Sequence, residues 1–296
     1  MGLVRIRRIN VTLTVTLVAA AAAVGACGAE RRPAPTGTMV ASTGSEPVLG
    51  GGPVASSPLA SPGERMLYRV AIHGFELAEF SITVGEVTTV DGSDVVVVQS
   101  EARTTKVAAM LKPVEDIFTS WISRTDGRSV MFRSSERASK DDHQTEVAET
   151  RRAAGPLTTR ITRGGEEITE AQTILGHGGH DFNSFLIFLR GWDAEPGMHL
   201  EADVLRSRYV WRVQMEVIGY ENLSTKLGNL PTARYDGEGV RLARDGTIDP
   251  TSDRRRFSIW LTDDADRVPV RLIARTDYGD VVMELLAYSP GAATGR

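Results

Sequence analysis

The sequence predicts a mainly β domain: a large curved antiparallel sheet, half-barrel-like, carrying one or two short helices, behind an export leader and a linker. Three observations predict it. Apolar residues alternate with polar ones over most of the chain beyond Gly63, the period of a half-buried strand. Turn dipeptides recur at Asp91-Gly92, Asp126-Gly127, Gly164-Gly165, Asp236-Gly237 and Asp245-Gly246, spacings too short for helical crossovers. Only two stretches carry a helical pattern.

The N-terminus comes first. Arg5, Arg7 and Arg8 precede an apolar run from Val11 to Val24, and small residues lead to Cys27, the one cysteine in the chain. A positive n-region, a short apolar core and small residues make an export signal. The run of 14 residues is shorter than the roughly 20 needed to span a bilayer. Val24-Gly25-Ala26-Cys27 resembles a bacterial lipoprotein signal. That resemblance implies cleavage of residues 1–26, lipidation of Cys27 and a membrane partner reached through the lipid anchor. Gly28 stands where many inner-membrane lipoproteins carry aspartate, so the expected location is the outer membrane, facing the periplasm. The alternative is an ordinary signal peptide cut near Ala26, with Cys27 a bystander.

Residues 27–62 form the second segment. They are rich in Pro, Gly, Ser, Ala and Thr, with Gly50-Gly51-Gly52-Pro53 and Ser57-Pro58 as breakers, and hold too little apolar material to offset ordering entropy. A disordered tether is expected there, with a reach on the order of 30–35 Å. Loss of the leader takes the formal charge from −4 to −7. Such a surface lacks the phosphate-neutralising basic groups that nucleic-acid binding requires, and Arg254-Arg255-Arg256 lies among aspartates.

Residues 63–289 are of a size for one β-rich globular domain, followed by a disordered tail at 290–296. Tyr68, Val70 and Ile72 alternate with polar or small residues, as do Phe80, Ile82 and Val84. From Arg208 to Tyr220 the face Tyr209, Trp211, Val213, Met215 and Val217 opposes Arg212, Gln214 and Glu216, interrupted by Val210. Phe257–Leu261 and Val268–Leu272 flank Asp263-Asp264-Ala265-Asp266, a hairpin turn. Val281 to Leu286 is expected to end the sheet. A short helix is expected over Thr105–Leu111, stopped by Pro113. A second runs over Asp181–Arg190, capped by Asp181, with Phe182, Phe185, Leu186 and Leu189 on one face and Gly191 at its end. It is expected to lie against the concave side of the sheet.

The segments Gly63–Tyr68, Ile117–Ile122, Asp181–Arg190, and Ile259–Asp264 through Val268-Pro269-Val270 together resemble the bacterial exported family called domain of unknown function 3108, in the right order across nearly all of residues 63–289. The resemblance implies a periplasm-facing β-rich domain and no established catalytic residues. In architecture the family is similar to lipoprotein-carrier proteins, an analogy that transfers no function.

Chemical candidates are few. Gly176-His177-Gly178-Gly179-His180-Asp181 could offer metal ligands at His177, His180 and Asp181, but zinc requires a further ligand or a water at fixed geometry. The competing reading is a glycine loop leading to the Asp181 cap, with both histidines solvated. Carboxylate pairs at Glu115-Asp116, Asp141-Asp142 and Asp263-Asp264 could serve a hydrolase only if two carboxyls met across a substrate; as neighbours they read as turn formers. No Gly-x-Ser-x-Gly, P-loop or dinucleotide fingerprint occurs. No cofactor and no enzymatic activity are expected. What remains is apolar: Phe182, Phe185 and Leu186, with Tyr209, Trp211 and Trp260 as walls, could line a groove for an acyl chain or other amphiphile. The function expected is thus a membrane-anchored binding or structural module, with an envelope protein-protein scaffold as the alternative and a metal-dependent or carboxylate-based hydrolase as the second.

Overall fold

A computed structural model describes residues 60–111, 113–137, 145–151, 157–173 and 179–292. Cys27, most of the linker and His177 lie outside the described residues. The first half holds β1 (Arg65–Ile72), β2 (Phe75–Val90), β3 (Ser93–Thr104), α1 (Lys106–Leu111), β4 (Glu115–Ser123), β5 (Ser129–Arg137), β6 (Thr145–Arg151), β7 (Leu157–Arg163) and β8 (Glu166–Gln172). The second holds β9 (His180–Asp181), α2 (Phe182–Gly191), β10 (His199–Arg206), β11 (Tyr209–Thr225), β12 (Gly228–Arg241), β13 (Arg255–Thr262), β14 (Pro269–Thr276) and β15 (Gly279–Ser289).

All fifteen strands of the described residues belong to one sheet, ordered β8-β7-β6-β5-β4-β3-β2-β1-β15-β14-β13-β12-β11-β10-β9. From β1 to β8 and from β10 to β15 chain neighbours pair antiparallel, several of them joined by tight turns. At Asp91 (φ 49°) and Gly92 (φ 78°) both central residues take the left-handed conformation that matches a two-residue turn to strand twist. Only β9 and β10 run parallel, since α2 crosses between them. The first and last strands also pair, Arg65 with Ser289 through Ile72 with Val281. The final strand therefore lies in the middle of the sheet and not at its end as expected.

Register shifts at Leu67/Tyr68, Val84/Val87 and Val217/Gly219 bend the strands in the manner of bulges, and the sheet rolls up. Leu205 and Val210 are cross-strand partners on the face of β10–β11 turned away from Val204 and Trp211. They pack with Phe118 and Phe132 of β4 and β5, whose rings stack 6.3 Å apart. The two flanks of the sheet thus overlap. The ladder's free edge, β8, reaches the β12–β13 loop: Thr173 N donates to Arg244 O at 2.9 Å, and Arg244 holds Gln172 and Glu170. Closure is made by these contacts rather than by strand pairing.

One sequence expectation fails at Asp236-Gly237, which is not a turn but the middle of β12. A Cβ on Gly237 would come within 2.6 Å of Phe257 Cζ and 2.8 Å of Gln214 O. The glycine is there to admit the Phe257 ring.

Candidate functional site

The centre of the roll is occupied by α2. Seven of its ten residues are buried: Asn183, Ser184, Phe185, Leu186, Ile187, Leu189 and Arg190. An apolar helix without a polar face must be enclosed, and this one packs with Tyr68, Phe80, Ile82, Met215, Tyr235 and Met283 in a single core. The expected helix is present, but it is surrounded by sheet rather than resting on a concave surface.

Polar bonds fix both ends of it. Asp181 Oδ1 accepts from Ser184 N (3.0 Å) and from Ser120 Oγ of β4 (2.7 Å), while Ser184 Oγ accepts from Asp181 N (2.9 Å). This is a reciprocal cap. Asn183 Nδ2 donates to Ser120 Oγ at 3.0 Å and to the carbonyls of Val98 and Phe118 at 3.3 Å. Burial pushes the Asp181 carboxyl above the usual carboxylate range, against hydrogen bonds from serine side chains and helix amides. Asp181 Oδ2, Asn183 Oδ1 and Ser100 Oγ are buried without a hydrogen-bond partner.

At the other end Arg190 grips Glu64 in a bidentate pair, Nη2–Oε1 2.7 Å and Nη1–Oε2 3.0 Å. Its Nε and Nη2 also donate to Asp266 O at 3.0 and 2.9 Å. Tyr288 OH donates to Glu64 Oε1 at 3.0 Å, and burial together with the Glu64 charge raises the Tyr288 phenol. The helix continues through Gly191, one residue further than expected, before Trp192 turns extended and donates to Leu189 O.

The sequence-predicted groove residues are not brought around one cavity. Phe182 meets Phe80 and Phe118 at 6.3 and 6.5 Å, and Phe185 and Leu186 are core. Tyr209 accepts from Arg208 Nη2 at 3.0 Å, with the Arg208, Arg241 and Arg244 guanidiniums 5.1, 5.2 and 5.9 Å from its ring centre. Trp211 is buried on β11. Trp260 pairs in register with Arg234 and Arg271, on the face opposite Ile259 and Leu261, and donates to Glu221. A void beside α2, between Asn183, Leu186, Arg190 and Pro269, is about 10 Å³. That is room for one water at most, against the ~300–1,000 Å³ of ordinary ligand sites.

His180 is buried rather than solvated, its ring 5.0 Å from Phe188 and 6.2 Å from Phe185. Among the described residues no group of three His, Cys, Asp or Glu side chains converges as a metal site. Asp264 Oδ1 accepts from Thr262 Oγ1, Asp266 N and Arg267 N, so this carboxylate shapes a turn. Asp141-Asp142 lies outside the described residues.

One concavity escaped the sequence reading. Ile117, Thr119 and Trp121 of β4, with Arg133 and Ser135 of β5, line an outer groove of about 310 Å³. The signal was available: Phe118, Ser120 and Ile122 are buried inward, which sends the alternate residues outward.

A rolled antiparallel sheet around a buried helix defines a barrel-like β protein. The chain belongs to the family described as protein of unknown function, DUF3108, whose model matches residues 67–286. No curated protein matches it. The fold is similar to a beta-barrel-like protein of domain of unknown function DUF1849 from Brucella abortus, at 9% identity and TM-score 0.53, covering 78% of this chain and 98% of that one. Weaker likenesses are a protein provisionally described as exported, with a YmcC-like fold, from Bacteroides fragilis (10% identity, TM-score 0.36, 78% and 97% covered), and a provisionally described lipoprotein from Parabacteroides distasonis (8%, 0.37, 79% and 99%).

Proposed function

We propose that this chain is a membrane-anchored cell-envelope lipoprotein, held by Cys27 at the outer membrane and facing the periplasm, whose domain is a non-enzymatic structural or binding module. The leader with Arg5, Arg7, Arg8 and the apolar run up to Cys27 supports the location. The observation that carries the module reading is the helix: α2 is buried among core side chains and bonded at both ends, and the void beside it, lined by Asn183, Leu186 and Arg190, is about 10 Å³. A carrier with a preformed acyl cavity fits this poorly. An amphiphile would have to take the place of Phe185, Leu186 and Leu189, breaking the Glu64–Arg190 pair. An interaction scaffold fits better, its contact surface lying outside, where Trp121 and its neighbours form a groove.

Mass spectrometry of the mature protein from its host membranes tests both parts. The expected product begins at an acylated Cys27 and carries no stoichiometric extractable lipid. A one-to-one amphiphile would return the carrier reading, with α2 displaced.

A further inference from the structure

The two most exposed large apolar side chains of the described residues are Met110 (78%) and Phe75 (75%), and Tyr278 is 52% exposed. They sit on adjoining segments at one rim of the roll. The β1–β2 turn touches the β14–β15 turn through His73 Nε2 and Tyr278 O, 2.8 Å apart. The start of β2 touches the start of α1 through Thr105 N donating to Leu77 O at 2.9 Å. Three adjoining segments thus each carry an exposed apolar or aromatic group. Of the other exposed apolar residues, Ile218, Tyr220 (56%) and Leu227 belong to the β11–β12 ribbon, and Ile168, Met198 and Ile248 are scattered over other elements.

We propose that the rim formed by Phe75, Met110 and Tyr278 rests in the headgroup–acyl boundary of the membrane. The proposal rests on Cys27 as a lipid-bearing residue, which keeps the domain at high effective concentration beside a bilayer. The three side chains stand on separate segments joined by few contacts. A fluid bilayer accepts them without shape complementarity, and aromatic rings favour that depth.

Geometry allows the contact. The linker leads into the domain beside Val84, where Gly63 N donates to Val84 O at 2.9 Å. Phe75 lies nine residues away along β2, about 30 Å at the ~3.3 Å rise of a strand. The composition-based reach of the tether is likewise about 30–35 Å, so the rim can turn to the bilayer that holds the anchor. Glu76 and Asp280 flank the rim and Asp277 pairs with Arg255 at 3.1 Å, while Lys106 and Lys112 flank Met110 in sequence; both signs of charge lie near the rim.

The test places tryptophan at the rim, Phe75→Trp or Tyr278→Trp, with Leu227→Trp as the control, in the full mature lipoprotein. Each is reconstituted into phosphatidylcholine vesicles with and without brominated acyl chains. Quenching at positions 75 and 278, above the wild-type signal, is expected to be several-fold greater than at 227. Equal quenching at all three, or none at the rim, overturns the proposal. The mass of the same preparations reports whether Cys27 is acylated. If it is not, the anchor reading fails by itself, and the rim is judged from the unlipidated full chain in excess vesicles, where a blue-shifted Phe75→Trp emission supports it and an unshifted one overturns it.

Discussion

Arg190 and Glu64, 126 residues apart in sequence, form a bidentate pair with side chains only 4% and 2% exposed. The pair ties the last turn of α2 to the start of the sheet. Removing one partner leaves the other charge buried and uncompensated, at about 3–5 kcal/mol. Arg190→Met or Glu64→Leu should each lower the denaturant midpoint strongly. The double replacement Glu64→Leu with Arg190→Met should recover most of the loss. Losses that simply add in the cycle of Glu64→Leu, Arg190→Met and the pair would contradict the coupling.

Asp181 gives a pH signature. Its folded-state pKa is raised by burial, so the folded chain holds this proton more tightly than the unfolded chain. The associated stability is full below the ordinary carboxylate pKa and is lost as pH rises from there through the folded value. Asparagine caps helices as well as aspartate does and does not ionise. Asp181→Asn should therefore remove that pH-dependent component, and gain on the wild type as pH rises. Asp181→Ala should cost about 0.5–2 kcal/mol through loss of the cap. A wild-type to asparagine difference that stays flat in melts between acid and neutral pH would speak against the buried carboxyl.

Gly237 is a packing constraint. Gly237→Ala sets a methyl against the Phe257 ring, and overpacking of this kind costs about 1–3 kcal/mol. Shortening the obstacle with Phe257→Leu should restore part of the stability in the Gly237→Ala background. Chemical denaturation of the four variants decides it.

The seam between β8 and the β12–β13 loop is polar and partly solvated, and such ion pairs contribute about 0–1 kcal/mol. Arg244→Ala should leave global stability nearly unchanged while speeding amide exchange at Thr173 and along β8. Unaltered exchange there would mean that the seam is held by something other than Arg244.

How much of this was legible follows from range. Alternation found the strands, and Asp181 with the Phe182, Phe185, Leu186, Leu189 pattern found α2, because both signals are local. The same alternation, pursued through Phe257, Ile259 and Leu261, puts Trp260 on the opposite face; aromatic identity drew it wrongly into the groove. The pairing of β1 with β15 was not legible, since nothing local couples residue 65 to residue 289. Burial of Arg190 was hidden as well: a cation in the last turn of a helix reads as a solvated complement to the helix dipole. Enclosure of α2 left one trace, in Ile187 and Phe188 lying outside the apolar stripe. His180 showed none, because its partners Phe185 and Phe188 follow it on the helix it precedes.

The central claim is that α2 is a resident part of the core and not a guest in a cavity. Amide hydrogen exchange of residues 182–191 in the mature full-length protein tests it most directly. The account predicts that these amides exchange only with global unfolding, as slowly as those of β1 and β2, and that added acyl chains leave them unchanged. Fast exchange confined to α2, or exchange that accelerates when an amphiphile is added, would contradict it.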